Sequence, residues 1–127
     1  MNQQKKNKIL IIEDDKFLAK LLVLRLERDG FEVVPSYDGE EAIEKIKKNG
    51  FDLIVLDLIL PKKDGFEVLE EIKKIKKDKK IPIIILSNLG QYEDIKRGLA
   101  LGAIDYIIKT EVPLSEAIIR IKNHLKR

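Results

Sequence analysis

The chain has 127 residues, 44% of them hydrophobic and 37% charged, with a net charge of +3. That describes a single domain of ordinary size, able to bury a real core beneath a heavily charged surface. It has no cysteine and one histidine, His124, which excludes disulfides, thiol catalysis, thiolate metal sites and most histidine-based acid–base or metal constellations.

No apolar stretch approaches the roughly 18 residues of a membrane span. The amino end also lacks a signal-peptide core. No membrane association and a cytoplasmic location are therefore expected. The positive charge is dispersed among Glu and Asp, apart from the cluster Lys73, Lys74, Lys76, Lys77, Lys79 and Lys80. Lysines at the end of a helix suit its negative pole and keep a loop solvated, so nucleic-acid binding by the chain itself is not expected.

Met1–Asn7 is polar and reads as a disordered tail, leaving 8–127 as the folded domain. Ile9–Ile12 is a short all-apolar run, a buried strand, and it ends in Glu13-Asp14-Asp15. A helix over Lys16–Asp29 follows, with Phe17, Leu18, Leu21, Leu22 and Leu24 at helical spacing and Gly30 as its stop. Phe31–Pro35 is a second strand. Asp38-Gly39 turns the chain into a helix over Glu40–Lys48, which buries Ala42, Ile43 and Ile46 and is closed by Gly50.

The stretch from Phe51 to Gly65 reads FDLIVLDLILPKKDG. Its run Leu53–Leu56 is apolar at both parities, as in a strand covered on both faces, and it ends on Asp57. A helix over Gly65–Lys76 turns Phe66, Val68, Leu69 and Ile72 inward. Ile81–Leu86 is a fourth strand, tolerating Pro82 near its start and delivering Ser87-Asn88. A looser helix, Tyr92–Leu101, is expected to bury Ile95 and Leu99 before Gly102. Ala103–Ile108 is the fifth strand, ending on Lys109. A last helix over Leu114–Leu125 carries Leu114, Ala117, Ile118, Ile121 and Leu125 on one face.

Five strand–helix units in strict alternation predict an α/β fold: a doubly wound, five-stranded parallel sheet with right-handed crossovers and five helices. The order common to five such strands is 2-1-3-4-5, flavodoxin-like, with its switch point between strands one and three. Those are the two strands that end in acids. The architecture therefore brings Glu13, Asp14 and Asp57 into one crevice at the carboxyl edge of the sheet, where ligands bind in such folds.

Three converging carboxylates repel one another unless a cation neutralises them. Oxygen ligands alone call for a hard ion, and few carboxylates with several waters suit Mg²⁺. A magnesium ion beside a carboxylate nucleophile is a phosphoryl-transfer arrangement, with Asp57 forming an aspartyl phosphate. Ser87 offers a hydroxyl and Lys109 a positive charge to the phosphoryl oxygens. Each residue has a plainer reading. The three acids after the first strand could cap a helix, Ser87 could serve a turn, and Lys109 could be solvated. Asp57 alone opposes its surroundings, as an acid inside an apolar run. The signal is the conjunction: acids after strands one and three, a hydroxyl after four, a lysine after five.

On ILIIEDD, LIVLDLILPKKDG, IIILS and GAIDYIIK, with Ser87 30 residues and Lys109 52 residues after Asp57, the chain from Lys8 to Leu125 resembles a receiver domain of the two-component response regulators. The resemblance implies that Asp57 accepts a phosphoryl group from a phosphohistidine on a histidine kinase or phosphotransfer protein. It also implies that Asp14 binds Mg²⁺ directly and Glu13 through water, with the Ile59 carbonyl as a further ligand. Ser87 and Lys109 would contact the phosphoryl group. Tyr106 matches the family's switch aromatic, turning inward as Ser87 is drawn to the phosphoryl group; its plainer reading is a partly buried strand aromatic.

A downstream protein would bind the surface over residues 92–125, which the resemblance also allows for a homodimer. Because the chain stops at the fifth helix, a stand-alone, chemotaxis-regulator-like switch is expected rather than a DNA-binding regulator or a turnover enzyme. A Mg²⁺-dependent phosphatase would need a cap and a second acid where Ile59 stands, and a pseudo-receiver would fail to bind Mg²⁺. Four positions depart from the family: Thr110 replaces the usual proline, Asn88 is larger than the usual small residue, and Ile59 and Leu89 are apolar. The geometry of the peptide at Lys109–Thr110 is left open.

Overall fold

The computed structural model describes residues 6–75 and 80–125. Strands β1 (Lys8–Ile12), β2 (Glu32–Ser36), β3 (Leu53–Leu56), β4 (Ile83–Ser87) and β5 (Asp105–Ile108) alternate with helices α1 (Lys16–Arg28), α2 (Gly39–Lys48), α3 (Gly65–Ile75), α4 (Tyr92–Ala100) and α5 (Leu114–Asn123). The strands form one sheet in the order β2-β1-β3-β4-β5, every neighbouring pair parallel. This is the expected doubly wound order.

Alternate strand residues build two cores. Ile9, Ile11, Val55, Ile84 and Ile107 pack with Leu22 and Leu26 of α1 and Ala117, Ile118 and Ile121 of α5. Leu10, Ile12, Leu56 and Ile85 pack on the other face with Ala42 and Ile46 of α2 and Phe66, Leu69 and Ile72 of α3. The period of two and apolar residues at both parities therefore have one cause, a sheet covered on both faces. Each fully buried Leu or Ile contributes about 2 kcal/mol by transfer from water.

Local signals start the helices. Asp15 caps α1, its carboxylate accepting from the Phe17 and Leu18 N–H groups. Asp38 caps α2 by accepting from the Glu41 N–H at 2.8 Å, while Glu41 reaches back to the Tyr37 N–H at 2.8 Å. This reciprocal pair satisfies two amides that the helix leaves unbonded.

Two expectations need correction. In α1 the buried stripe is Ala19, Leu22 and Leu26, whereas Phe17 is 73% and Leu24 53% exposed. Leucines wrap this helix all round, so hydropathy does not choose its inner face, and the spacing of three and four from Ala19 does. In α4 the buried residue is Gly98, Ile95 is half-buried and Leu99 is 46% exposed. This helix lies against Ile85 and Tyr106 so closely that its contact point carries no side chain, and its apolar residues straddle that point.

The fifth strand begins at Asp105 rather than Ala103, whose N–H is still bonded to the Gly98 carbonyl at the helix end. Of the lysine cluster, Lys76, Lys77 and Lys79 lie outside the described residues, as does the last residue expected of the third helix. Residues 1–5 of the expected tail also lie outside them. No helix among the described residues is long and apolar enough to cross a membrane.

Candidate functional site

Register assembles the site. Ile12 pairs with Leu56 across β1 and β3, so Glu13 and Asp57, each one residue further on, leave the sheet side by side. The ladder continues through them: the Glu13 N–H donates to the Ser36 carbonyl and the Asp57 N–H to the Ile12 carbonyl, both at 2.9 Å. Ser87 pairs with Ile108 at the ends of β4 and β5, which sets Lys109 beside it. Four strand ends thus deliver the predicted residues to one edge.

Asp57 is 4% exposed. Its Oδ1 accepts from Ser87 Oγ at 2.7 Å and from the Ile59 N–H at 3.1 Å, and its Oδ2 accepts from Lys109 Nζ at 2.7 Å. Lys109 Nζ also lies 2.6 Å from Glu13 Oε1. One ammonium therefore bridges two buried carboxylates from different strands. Burial works against the charge of Lys109, but its bonds to Asp57 and Glu13 outweigh that and hold the ammonium above its ordinary range. Burial pushes the Glu13 carboxyl up to about 7 against the lowering bonds from Lys109 and the Asp15 N–H.

The three predicted metal-binding acids come together. One carboxylate oxygen from each of Glu13, Asp14 and Asp57 lies within 4.8 Å of the others, with Glu13 and Asp57 buried and Asp14 exposed. The capping role weighed for the acids after β1 belongs to Asp15. Ile59 reaches the site through its N–H, while its side chain is 51% exposed beside it. No peptide bond among the described residues is cis, so Lys109–Thr110 is trans, and Asn88 and Thr110 are both exposed.

Tyr106 is half-buried and its hydroxyl donates to the Leu89 carbonyl. Burial, with the negative charges of Asp94 and Asp57, pushes that hydroxyl up to about 12. The Leu89 N–H in turn donates to Ser87 Oγ at 3.3 Å. Leu89 thus links Tyr106 to Ser87 and the carboxylate cluster through its backbone, a role invisible in sequence because any side chain would serve it. The Lys109–Glu13 pair was equally hidden, joining the first strand to the fifth.

In the sequence Gly65 marks only a helix start. A Cβ there would lie 2.3 Å from Leu58 Cα and 2.8 Å from the Asp57 carbonyl oxygen. The close approach of α3 to the segment after Asp57 requires glycine.

The family described as response regulator receiver domain matches residues 9–120, and the chain belongs to it. It is a receiver domain of two-component response regulators. It is 42% identical over 120 residues to regulatory protein VanRc of Enterococcus gallinarum, covering 94% of this chain and 50% of that one. The non-phosphorylated HemR receiver domain from Leptospira biflexa superposes with a TM-score of 0.85 at 38% identity, covering 93% of each chain. A two-component response regulator from Clostridium difficile gives 0.87 at 34% identity, over 96% of this chain and 98% of that one.

The chain spans about half the length of the curated relatives it matches. Receiver domains are phospho-acceptor signalling domains that bind Mg²⁺ at an acidic pocket.

Proposed function

We propose that Asp57 accepts a phosphoryl group from a phosphohistidine on a sensor histidine kinase or phosphotransfer protein in the cytoplasm, and that residues 8–127 form the receiver domain that does so. The observation carrying this reading is a buried carboxylate that faces two further acids and accepts from Lys109, Ser87 and the Ile59 N–H.

The donor set fits a hard divalent cation. It is all oxygen, and it sets three carboxylates against the single ammonium of Lys109. Glu13, Asp14, Asp57 and the Ile59 carbonyl would hold Mg²⁺, which when bound supplies positive charge to the phosphoryl oxygens. Asp57 attacks phosphorus through a carboxylate oxygen. The bond from phosphorus to the donor's imidazole nitrogen breaks, and its electron pair stays with that nitrogen. Lys109 offers fixed charge to the oxygens that gather negative charge in the transition state. Ser87, now bonded to Asp57 Oδ1, turns its hydroxyl to a phosphoryl oxygen and shifts Leu89 and Tyr106 with it. The changed surface over residues 92–125 then meets a downstream protein or a second copy of the chain.

Intact mass after incubation with Mg²⁺ and acetyl phosphate tests the reading. One phosphoryl group is expected on the wild type and none on Asp57→Asn or with chelator present. An unmodified wild type, or a modified Asp57→Asn variant, would remove Asp57 from the role.

A further inference from the structure

Gly98 is the buried residue of α4, although glycine inside a helix is disfavoured relative to alanine. A Cβ there would stand 2.6 Å from Ile85 Cδ1 and 3.2 and 3.3 Å from Cε2 and Cδ2 of Tyr106. The helix backbone therefore rests on the tyrosine ring. At its other end the ring is held by the bond from its hydroxyl to the Leu89 carbonyl. The neighbouring Arg97 guanidinium lies 4.1 Å from the Phe66 ring centroid, tying the same turn of α4 to α3. Elsewhere in α4 the N-cap Gln91 makes no side-chain cap bond, Tyr92 and Leu99 are exposed, and Ile95 is half-buried.

Resting on the reading of Tyr106 as the switch residue, we propose that Gly98 is a positioning residue. Its missing side chain lets α4 lie on the Tyr106 ring and keep the hydroxyl on Leu89. Two inputs then meet at one tyrosine: the phosphoryl site acts through Ser87 and Leu89, and the seat of α4 acts through Gly98. A partner that lifts α4 would release Tyr106 without any change at Asp57. A methyl group at position 98 loosens the same seat from within, since the helix or the ring must give by a few tenths of an ångström once Ile85 Cδ1 has turned aside.

The test replaces the three tyrosines, Tyr37, Tyr92 and Tyr106, with 3-fluorotyrosine and reads the fluorine solvent-isotope shift, with Tyr106→Phe assigning the resonance. Tyr92, 73% exposed, is the internal standard for an open ring. In the wild type Tyr106 is expected to show a smaller shift than Tyr92, and in Gly98→Ala to move toward it.

Ile85→Val removes the atom of the hardest contact, so in Ile85→Val/Gly98→Ala the ring atoms at 3.2 and 3.3 Å become the tight contacts of the added methyl. That double variant should still show a larger Tyr106 shift than Ile85→Val alone, which keeps the test valid if Gly98→Ala does not fold. An unchanged Tyr106 shift between those two proteins overturns the proposal. Ala100→Gly weakens the same helix without filling the seat, and a Tyr106 shift that followed helix strength instead would overturn it too. None of these readings needs phosphorylation. A wild type that gains no mass with acetyl phosphate sinks the functional reading and leaves the fluorine comparison to decide this one.

Discussion

Replacing Gly65 by alanine is expected to damage the acceptor site more than the fold. The added Cβ would sit 2.3 Å from Leu58 Cα and 2.8 Å from the carbonyl oxygens of both Asp57 and Leu58. Carbon atoms settle near 3.5 Å, so the backbone must part by about 1 Å. All three neighbours are main chain, and no rotamer can relieve them. Overpacking of this kind costs about 2 kcal/mol, and at the first turn of α3 little of alanine's helix preference returns. For a domain of this size that lowers the melting temperature by about 8 °C.

The moving segment begins at Asp57 and includes the Ile59 N–H bonded to it. A misplacement of about 1 Å at a reacting group slows chemistry on the order of 100-fold. The assay is urea unfolding together with the rate of mass gain from acetyl phosphate across a Mg²⁺ titration. Leu69→Ala is the control: it is fully buried in the same helix and should lose about 3 kcal/mol with its rate nearly intact. Equal slowing of both variants, or a wild-type rate in Gly65→Ala, would refute the argument from backbone approach.

Phe17→Ser should leave unfolding within about 0.5 kcal/mol of wild type, whereas Leu22→Ala should cost about 3 kcal/mol; similar values for the two would contradict the corrected face of α1. Burial raises the carboxyl of Asp105, but bonds from Arg120 and His124 outweigh it and hold it below its ordinary 3.8. A depressed carboxyl stabilises the fold above its ordinary value and loses that contribution as pH falls through its folded one. Arg120→Ala should therefore be less stable than wild type at pH 7, by about 1 kcal/mol for a partly buried pair still open to solvent, and the gap should close in acid. Urea curves at several pH values would show it, and a gap that widened in acid would reverse the sign. Ile59 and Leu89 are apolar where polar side chains could help position a hydrolytic water, so the aspartyl phosphate should persist well beyond seconds; rapid loss of label contradicts this.

What could be read from the sequence was whatever hydropathy and chain order encode. Runs such as Leu53–Leu56 announce strands covered on both faces, and an acid ending such a run announces a site. The order of the strands was supplied by the fold class, and given that order the meeting of Glu13 and Asp57 follows. What could not be read depends on the absence of a side chain or on the backbone alone. Gly98 contributes nothing to a hydropathy pattern, so Ile95 and Leu99 were assigned the buried face that the glycine occupies. Leu89 acts through its N–H and carbonyl, which every residue but proline carries.

These hidden features share a location, the path from Asp57 to the surface of α4. Strand ends fix the reacting residues by register, and register is insensitive to small changes of packing. The path outward consists instead of single hydrogen bonds, Ser87 to Asp57, Leu89 to Ser87 and Tyr106 to Leu89, ending on a ring held under a glycine. Each bond contributes about 1 kcal/mol net. An equilibrium built on such terms can be shifted by one phosphoryl group or one docked partner, whereas the two cores, each uniting several elements, cannot. On the proposed reading, the division places rigid chemistry at the strand ends and the adjustable output at α4.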